Sequence, residues 1–473
     1  MADPYDTPMQ SAADVQDRVN ELSLFFQTGA TLPVDFRKLQ LKRLQAYLRA
    51  HEKEALDALR ADLGKSAAEA YATELGMVYD ELRYCLKHVE SWARPRRVPT
   101  SLAHFPTSST IYPYPFGVVG IYSPWNYPLQ LALLPLVDAI AAGNCAVLKP
   151  SQHSVHTSAF IRELCHQVFD PAFVFCLEGS DQMNDWLLDV ALDKIMFTGS
   201  PRVGREIMAH AAANLTSVNL ELGGKSPVFI TADADLRRAG ERIAWGKCLN
   251  SGQTCVGPDY ILIHESVRDG FIAAYAQAVH RYYGRDVLAS PDYPHMIDRK
   301  QFDRVCGLID QRNLDARVVF GGGRNADTLQ IEPTVMTGVT LEDPVMGQEI
   351  FGPVLPIITW RTLDEAIEVT RSYGHPLSCY IFSNDAKTQR HLLDAVPSGG
   401  AVINDVVIWA SSPHLPFGGL QNSGIGHYHG KAGFDAFTHY KSTMKKSTLI
   451  ELPFRNPPFD AVKMAAIRFF LHP

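Results

Sequence analysis

The chain has 473 residues, 46% hydrophobic and 20% charged, with a formal net charge of −7. That length is too great for one hydrophobic core and calls for two or three domains. The composition is that of an ordinary soluble globular protein, and an acidic balance without a basic stripe excludes a nucleic-acid partner.

The eight cysteines include no C-x-x-C pair. They suit neither a zinc site nor a disulfide framework, so no metal is expected, and reduced thiols fit a cytoplasmic enzyme. The N-terminus is polar and acidic, unlike a signal peptide. No run reaches the roughly 18 apolar residues a membrane span needs.

Residues 16–97 carry leucines at three- and four-residue steps (Leu41, Leu44, Leu48; Leu56, Leu59, Leu63), which predicts amphipathic helices packed on a sheet. SSTIYPYP (108–115) is polar and proline-interrupted, like an edge strand. The rhythm then changes. FGVVGIYS (116–123) reads as a buried strand and LALLPLVDAIAAG (131–143) as a helix that tolerates Pro135 and stops at Gly143. AVLKP (146–150) is strand-like, 154–167 is helical, and strands follow at 173–176, 194–199 and 217–222. Strands alternating with helices imply right-handed β-α-β units and a parallel sheet, whose ligands bind beyond the strand carboxyl ends.

A second alternating region begins near Gly224, with strands at 260–264, 316–322, 354–360, 378–383 and 400–405. The predicted class is therefore α/β with two parallel-sheet domains. FTHYKSTMKK (437–446) alternates without a strong apolar face, and an exposed edge of this kind is often covered by a second subunit. The final stretch, 461–473, is broken by Lys463 and Arg468 and is too short to span a membrane; packing on a partner is preferred to lying on a bilayer.

Cys255 ends NSGQTC (250–255), between a helical stretch at 234–250 and the strand at 260–264. A thiol in a loop among small residues can be a nucleophile, and a helix N-terminus or a cation would raise its thiolate fraction. It can equally be inert packing, as Cys248 is expected to be. Glu221 ends a strand before Gly223 and Gly224, so it can project into a cleft as a general base or stand as a surface acid beside a turn. Asn126, in SPWNYP (123–128), offers an amide to an oxyanion or simply favours a turn between prolines. GSPRVG (199–204) follows a strand and opens a helix, as a phosphate-binding turn does, but its spacing is not G-x-G-x-x-G and a structural corner fits as well. Lys149 after a strand and Glu349 in GQEIFGP (347–353) can each reach ribose hydroxyls or remain surface charges.

Taken together, SPWNYP, LKPSQ, FTGSPRVG, LELGGKSP, NSGQTC, GQEIFGPV and LPFGGLQNSGIG resemble the NAD(P)-dependent aldehyde dehydrogenase superfamily over roughly residues 30 to 446. NSGQTCVGPDY and SGIGHYHGKAGFDAFTHYK are most similar to its class 3 branch, the fatty, aromatic and coniferyl-type enzymes. The resemblance implies an aldehyde dehydrogenase-like fold: two Rossmann-like parallel-sheet domains plus a small β-strand oligomerisation arm. Residues 1–106 and 116–222 would form the NAD(P)-binding domain, 223–418 the catalytic domain, and 107–115 with 419–473 the arm and tail.

The resemblance also implies roles. Cys255 would be the nucleophile, Glu221 the base and Asn126 the oxyanion holder. Trp125, Lys149, Gln152, Gly199, Ser200, Val203, Gly204, Glu349 and Phe351 would bind NAD or NADP. The substrate would be a small apolar aldehyde and the assembly a homodimer. Tyr122, Tyr127, Trp409 and His414 are candidates for the substrate entrance by position alone.

One departure bears on the cofactor. NAD-preferring relatives carry glutamate where this chain has Gln152, and losing one like-charge contact with a 2′-phosphate is worth about 1 kcal/mol. NADP use alongside NAD is therefore expected. Three other functions fit the sequence less well. A CoA-acylating enzyme is disfavoured by Glu221, a thiol hydrolase by the lack of a Cys–His signal, and a non-catalytic role by the presence of all three reactive residues.

Overall fold

The computed structural model describes residue 9, residues 11–311 and residues 316–471. The first eight residues of the cofactor domain expected from the sequence, and the last two of the tail, lie outside the described residues. Two large sheets dominate. The first has the spatial order Val174–Cys176, Cys145–Lys149, Val118–Tyr122, Lys194–Thr198, Ser217–Glu221 and Gly424–Ile425, parallel except for the last strand. The second runs Arg317–Phe320, Thr334–Thr337, Val354–Trp360, Tyr260–His264, Pro227–Ile230, Ser378–Phe382 and Gly400–Ile403, with only Arg317–Phe320 antiparallel. The α/β class with two parallel sheets is as the sequence implies. Pro227–Ile230 and Thr334–Thr337 were not foreseen: both are short and buried almost throughout, so neither shows the alternation that marks a half-exposed strand.

The hinge of the packing is the helix Pro128–Ala142, in which every residue is buried. Pro128 opens it, where a missing N–H costs nothing. Gly143 closes it in the left-handed region at φ +98°. A side chain there would meet the Arg37 guanidinium at 2.7 Å. Arg37 in turn donates to the Ala141 carbonyl at 3.2 Å, a cation placed at the negative end of the helix. The helices foreseen from leucine spacing, Val34–Ala50, Glu52–Leu63 and Gly76–Trp92 among them, pack around this helix and the first sheet.

The two segments that fit neither alternating region pair with each other. Thr107–Pro115 and Thr438–Lys446 run antiparallel from Thr438↔Pro115 to Lys446↔Thr107, and Arg96–Val98 flanks the former. Thr107–Pro115 is thus the central strand of a three-stranded sheet and not an edge. Arg96–Val98 covers only Ser109–Ile111, which leaves Pro113 and Pro115 where one side needs no ladder bond.

Residues 419–436, grouped from the sequence with the arm, lie instead against the first sheet. Gly424 pairs with Glu221 and Ile425 with Leu220. The helix Gly430–Ala436 docks on two helices: Gly430 N–H donates to Glu81 of Gly76–Trp92 at 2.7 Å, and bare Gly433 leaves room for Asp138 of Pro128–Ala142. The last helix, Ala461–Leu471, has no buried residue. Among the described residues no helix is long and apolar enough to cross a membrane.

Candidate active site

Tyr122, Lys149, Thr198 and Glu221 are the last residues of four neighbouring parallel strands, and all four line one cavity of about 920 Å³. That is where a parallel sheet leaves its strand-end groups free for a ligand. Loops that lead into strands of the second sheet supply further lining, including Cys255, Glu349 and Phe351. Residues 126, 221 and 255, far apart in sequence, share this space.

Cys255 is half-buried at the end of a loop that is rigid behind it. Asn250 and Ser251 both take positive φ (50° and 52°), which for residues with side chains must be held by their surroundings. Asn250 N–H donates to Glu69 at 2.7 Å, and its side-chain amide donates to the carbonyls of Asn126 (2.6 Å) and Gln253 (3.1 Å). Gln253 donates to Asn250 and His295 carbonyls and accepts from Ile297 N–H, each at 3.0 Å. Thr254 shares a 2.6 Å hydrogen bond with the Tyr127 hydroxyl. Gly252, at φ +75°, lies so close to the Gly352 carbonyl that a Cβ would collide with it. The cysteine loop and the loop bearing Glu349 therefore touch backbone to backbone, the close approach that a glycine permits.

The electrostatics correct one expectation. Among the described residues no cation is a cause of the Cys255 shift. Burial pushes Cys255 up to about 12, and the nearby Glu349 and Glu221 charges add to the effect, while backbone N–H groups of Val256 and Cys255 oppose it. At neutral pH the sulfur is a thiol until its surroundings change.

Glu221 sits at the end of its strand between Thr198 and Gly424. It is 2% exposed, and neither carboxylate oxygen has a hydrogen-bond partner within the protein. Burial alone raises it well above the ordinary carboxylate range. A buried carboxyl without partners in a cleft is suited to accept a proton from a small molecule there. Asn126 is buried, and its amide nitrogen donates to the Gln253 carbonyl at 3.0 Å, two residues before the thiol. The second amide hydrogen has no acceptor among the described residues, and the residue lines the cavity.

The expected cofactor residues divide. Trp125, Lys149, Gln152, Gly199, Ser200, Val203, Glu349 and Phe351 all line the cavity. Gly204 does not. It is buried in the helix Pro201–Asn214, where a Cβ would meet Leu222 at 2.6 Å, so its smallness serves packing. Lys149 Nζ donates to the carbonyls of Pro150 (2.9 Å) and Gly179 (3.1 Å). Ser200 caps its helix through Val203 N–H at 3.4 Å, and Gly199 N–H donates to the Glu221 backbone carbonyl at 2.9 Å. Phe351, at φ +47°, meets the Trp125 ring edge-on with centroids 5.3 Å apart.

Glu349 owes its position to Gly223, where any side chain would strike the carboxylate. Burial raises Glu349 to about 8, with Asp259 adding to the rise and Gly224 N–H, Lys225 and Arg304 opposing it. Its Oε1 is buried without a protein partner. A cleft lined by a helix start and by a buried carboxylate oxygen without a protein partner suits a dinucleotide. The residues suggested for the entrance scatter. Tyr122 lines the cavity, Tyr127 is occupied by Thr254, Trp409 is buried with its N–H on Ser378 at 2.9 Å, and His414 packs against Tyr84.

Several supports were not foreseen. Lys65, Glu69 and Glu74 stand behind the reactive loops, and Lys225 with Asp259 braces the Glu349 loop. Lys225 donates to Asp259 at 2.6 Å and to the Gln348 carbonyl at 3.0 Å, and Asp259 accepts from Ile350 N–H at 3.0 Å. In sequence such charges look like solvated helix faces; only their burial reveals them.

The model of the aldehyde dehydrogenase family matches residues 5–443. Among curated relatives, a 4,4'-diaponeurosporen-aldehyde dehydrogenase of Staphylococcus aureus (strain NCTC 8325 / PS 47) is 41% identical over 94% of this chain and 96% of its own. A dimeric NADP-preferring aldehyde dehydrogenase of Rattus norvegicus is 40% identical, covering 94% of this chain and 96% of its own. Among solved structures, the substrate-bound state of Staphylococcus aureus AldH superposes with a TM-score of 0.95 at 40% identity, over 98% of this chain and 100% of that one.

Proposed function

The chain belongs to the aldehyde dehydrogenase family, and from that premise we propose that it oxidises an apolar aldehyde, aliphatic or aromatic, to its carboxylic acid through a thioester on Cys255. The observation that carries the reading is the shared cavity of Cys255 and Glu221, with both Glu221 oxygens unclaimed by the protein.

Lys149, Gln152, Gly199, Ser200 and Val203 would hold one end of NAD or NADP, and Trp125, Glu349 and Phe351 the other. The dinucleotide supplies the hydride acceptor and, at its nicotinamide end, a positive charge. Cys255 gives up its proton to water in the cleft and its sulfur attacks the aldehyde carbonyl, forming a C–S bond and an oxyanion. The Asn126 amide and the Cys255 backbone N–H donate to that oxygen. Loss of hydride from the former aldehyde carbon leaves a thioester. Glu221 then removes a proton from water, whose oxygen attacks the thioester and breaks the C–S bond, releasing the acid and restoring the sulfur.

The likeness to class 3 enzymes supports the apolar substrate, and Gln152 supports use of NADP alongside NAD. The uncovered outer strand Thr438–Lys446 supports a homodimer. Stopped-flow absorbance at 340 nm, with hexanal, decanal, benzaldehyde and coniferaldehyde and each cofactor, tests the reading. A stoichiometric burst followed by turnover is expected, with none in Cys255→Ala. Turnover in that variant, or acid formed without reduced cofactor, would refute it.

A further inference from the structure

Lys65 and Glu74 are wholly buried beneath the turn that carries Asn126, and neither lines the cleft. Lys65 Nζ donates to Glu74 Oε1 at 2.5 Å and to the Asn126 backbone carbonyl at 3.0 Å, and it lies 4.0 Å from the centre of the Tyr127 ring. Glu74 Oε2 accepts from the N–H groups of Leu129 (2.9 Å) and Gln130 (3.3 Å), in the first turn of the helix Pro128–Ala142. One ion pair thus grips the chain on both sides of the same turn: the carbonyl of residue 126 and the amides of 129 and 130.

The backbone that presents Glu74 is itself unusual. Tyr71–Leu75 is a π-helical turn, a widened form common at functional sites. Gly76 makes room for it, since a Cβ there would stand 2.8 Å from the Tyr71 carbonyl. Burying two charges is expensive, and an apolar pair of similar volume often serves stability as well. What an apolar pair lacks is directional hold on a carbonyl and two amides.

We propose that the Lys65–Glu74 pair is a positioning device for Asn126. It fixes the backbone of residues 126–130 so that the Asn126 amide stands where negative charge develops on the aldehyde oxygen. The inference rests on the thioester reading above, in which Asn126 holds that oxyanion. Neither member touches the substrate; both act through Asn126.

The test is a double-mutant cycle on the burst rate constant, which reports folded molecules only. Lys65→Met and the charge-free pair Lys65→Met/Glu74→Gln are each made with Asn126 intact and with Asn126→Ala, so that one of them remains if the other fails to fold. With Asn126 present the burst rate constant should fall by about tenfold or more, as for a misplaced oxyanion donor. In the Asn126→Ala background it should fall by less than about twofold, because effects of residues acting as one unit do not add. The rate of Cys255 alkylation and cofactor affinity should be unchanged. An equal loss in both backgrounds, or an unchanged burst with Asn126 intact, overturns the proposal. If wild type shows no burst, acylation limits turnover and kcat reports the same step; turnover in Cys255→Ala is the result by which the thioester reading itself fails, and the pair loses its task with it.

Discussion

Glu74 and Glu221 are carboxylates of nearly equal burial, 0% and 2% exposed, the first beneath the turn that carries Asn126 and the second in the cavity lining. Their company differs completely. Glu74 has an ammonium on one oxygen and two backbone amides on the other. Glu221 has no hydrogen-bond partner in the protein. Burial raises both, and at Glu74 the Lys65 charge and the amides pull back. A satisfied buried charge fixes geometry, whereas an unsatisfied one retains its appetite for a proton. The wall behind Asn126 and Cys255 is of the first kind, and the cleft in front of them is of the second.

The sharpest way to break the contrast is to neutralise each acid in turn. Glu221→Gln should keep the burst while steady-state turnover falls by about 100-fold or more, as for loss of a general base. Its stability should not fall. A raised folded pKa means that wild type is penalised once the pH exceeds the unfolded value, so the variant's advantage should be absent near pH 4 and grow toward neutrality. Glu74→Gln should instead cost about 3 kcal/mol by leaving Lys65 unpaired. Chemical denaturation of both variants across pH checks the pair of signs, and equal destabilisation would erase the distinction.

A smaller effect is expected at Gly223. Its side-chain-free position is what admits the Glu349 carboxylate. Gly223→Ala should raise the KM for NAD or NADP by about tenfold through that displacement, with Cys255 alkylation in the absence of cofactor little changed. Steady-state kinetics at saturating aldehyde measures it.

The thiol offers a finer probe. Glu349 titrates near 8 and adds to the rise of Cys255 toward 12. Below pH 8 Glu349 is largely neutral and repels little. Glu349→Gln should therefore alkylate like wild type at pH 7 and about threefold faster above pH 8, a shift of about half a pKa unit. Iodoacetamide rate profiles would expose any other pattern. The smallest change concerns Gln152: Gln152→Glu should move the NADP:NAD ratio of kcat/KM toward NAD by several-fold, about 1 kcal/mol.

Much of the front of the site was legible because the groups that line the cavity sit at strand ends and in loops with punctuated sequence. Lys149 and Glu221 each close a strand, and Cys255 follows Gly252, whose backbone lies against that of Gly352. The back was not legible. Lys65, Glu69 and Glu74 occur in a charged helical stretch where they look like solvated residues, and nothing local shows that the Pro128–Ala142 helix and the Asn250 loop close over them. The surroundings of the thiol were equally hidden, since the acids that oppose its ionisation come from a strand end and a loop distant in sequence. Gly204 misled because a glycine in a helix start serves packing as readily as it serves phosphate.

Gly424 forms a two-residue rung beside Glu221, and the same stretch of chain continues through the Gly430–Ala436 helix into the protruding ribbon Thr438–Lys446. The ribbon and the residues that flank Glu221 thus belong to one continuous stretch of chain, from Gly424 to Lys446.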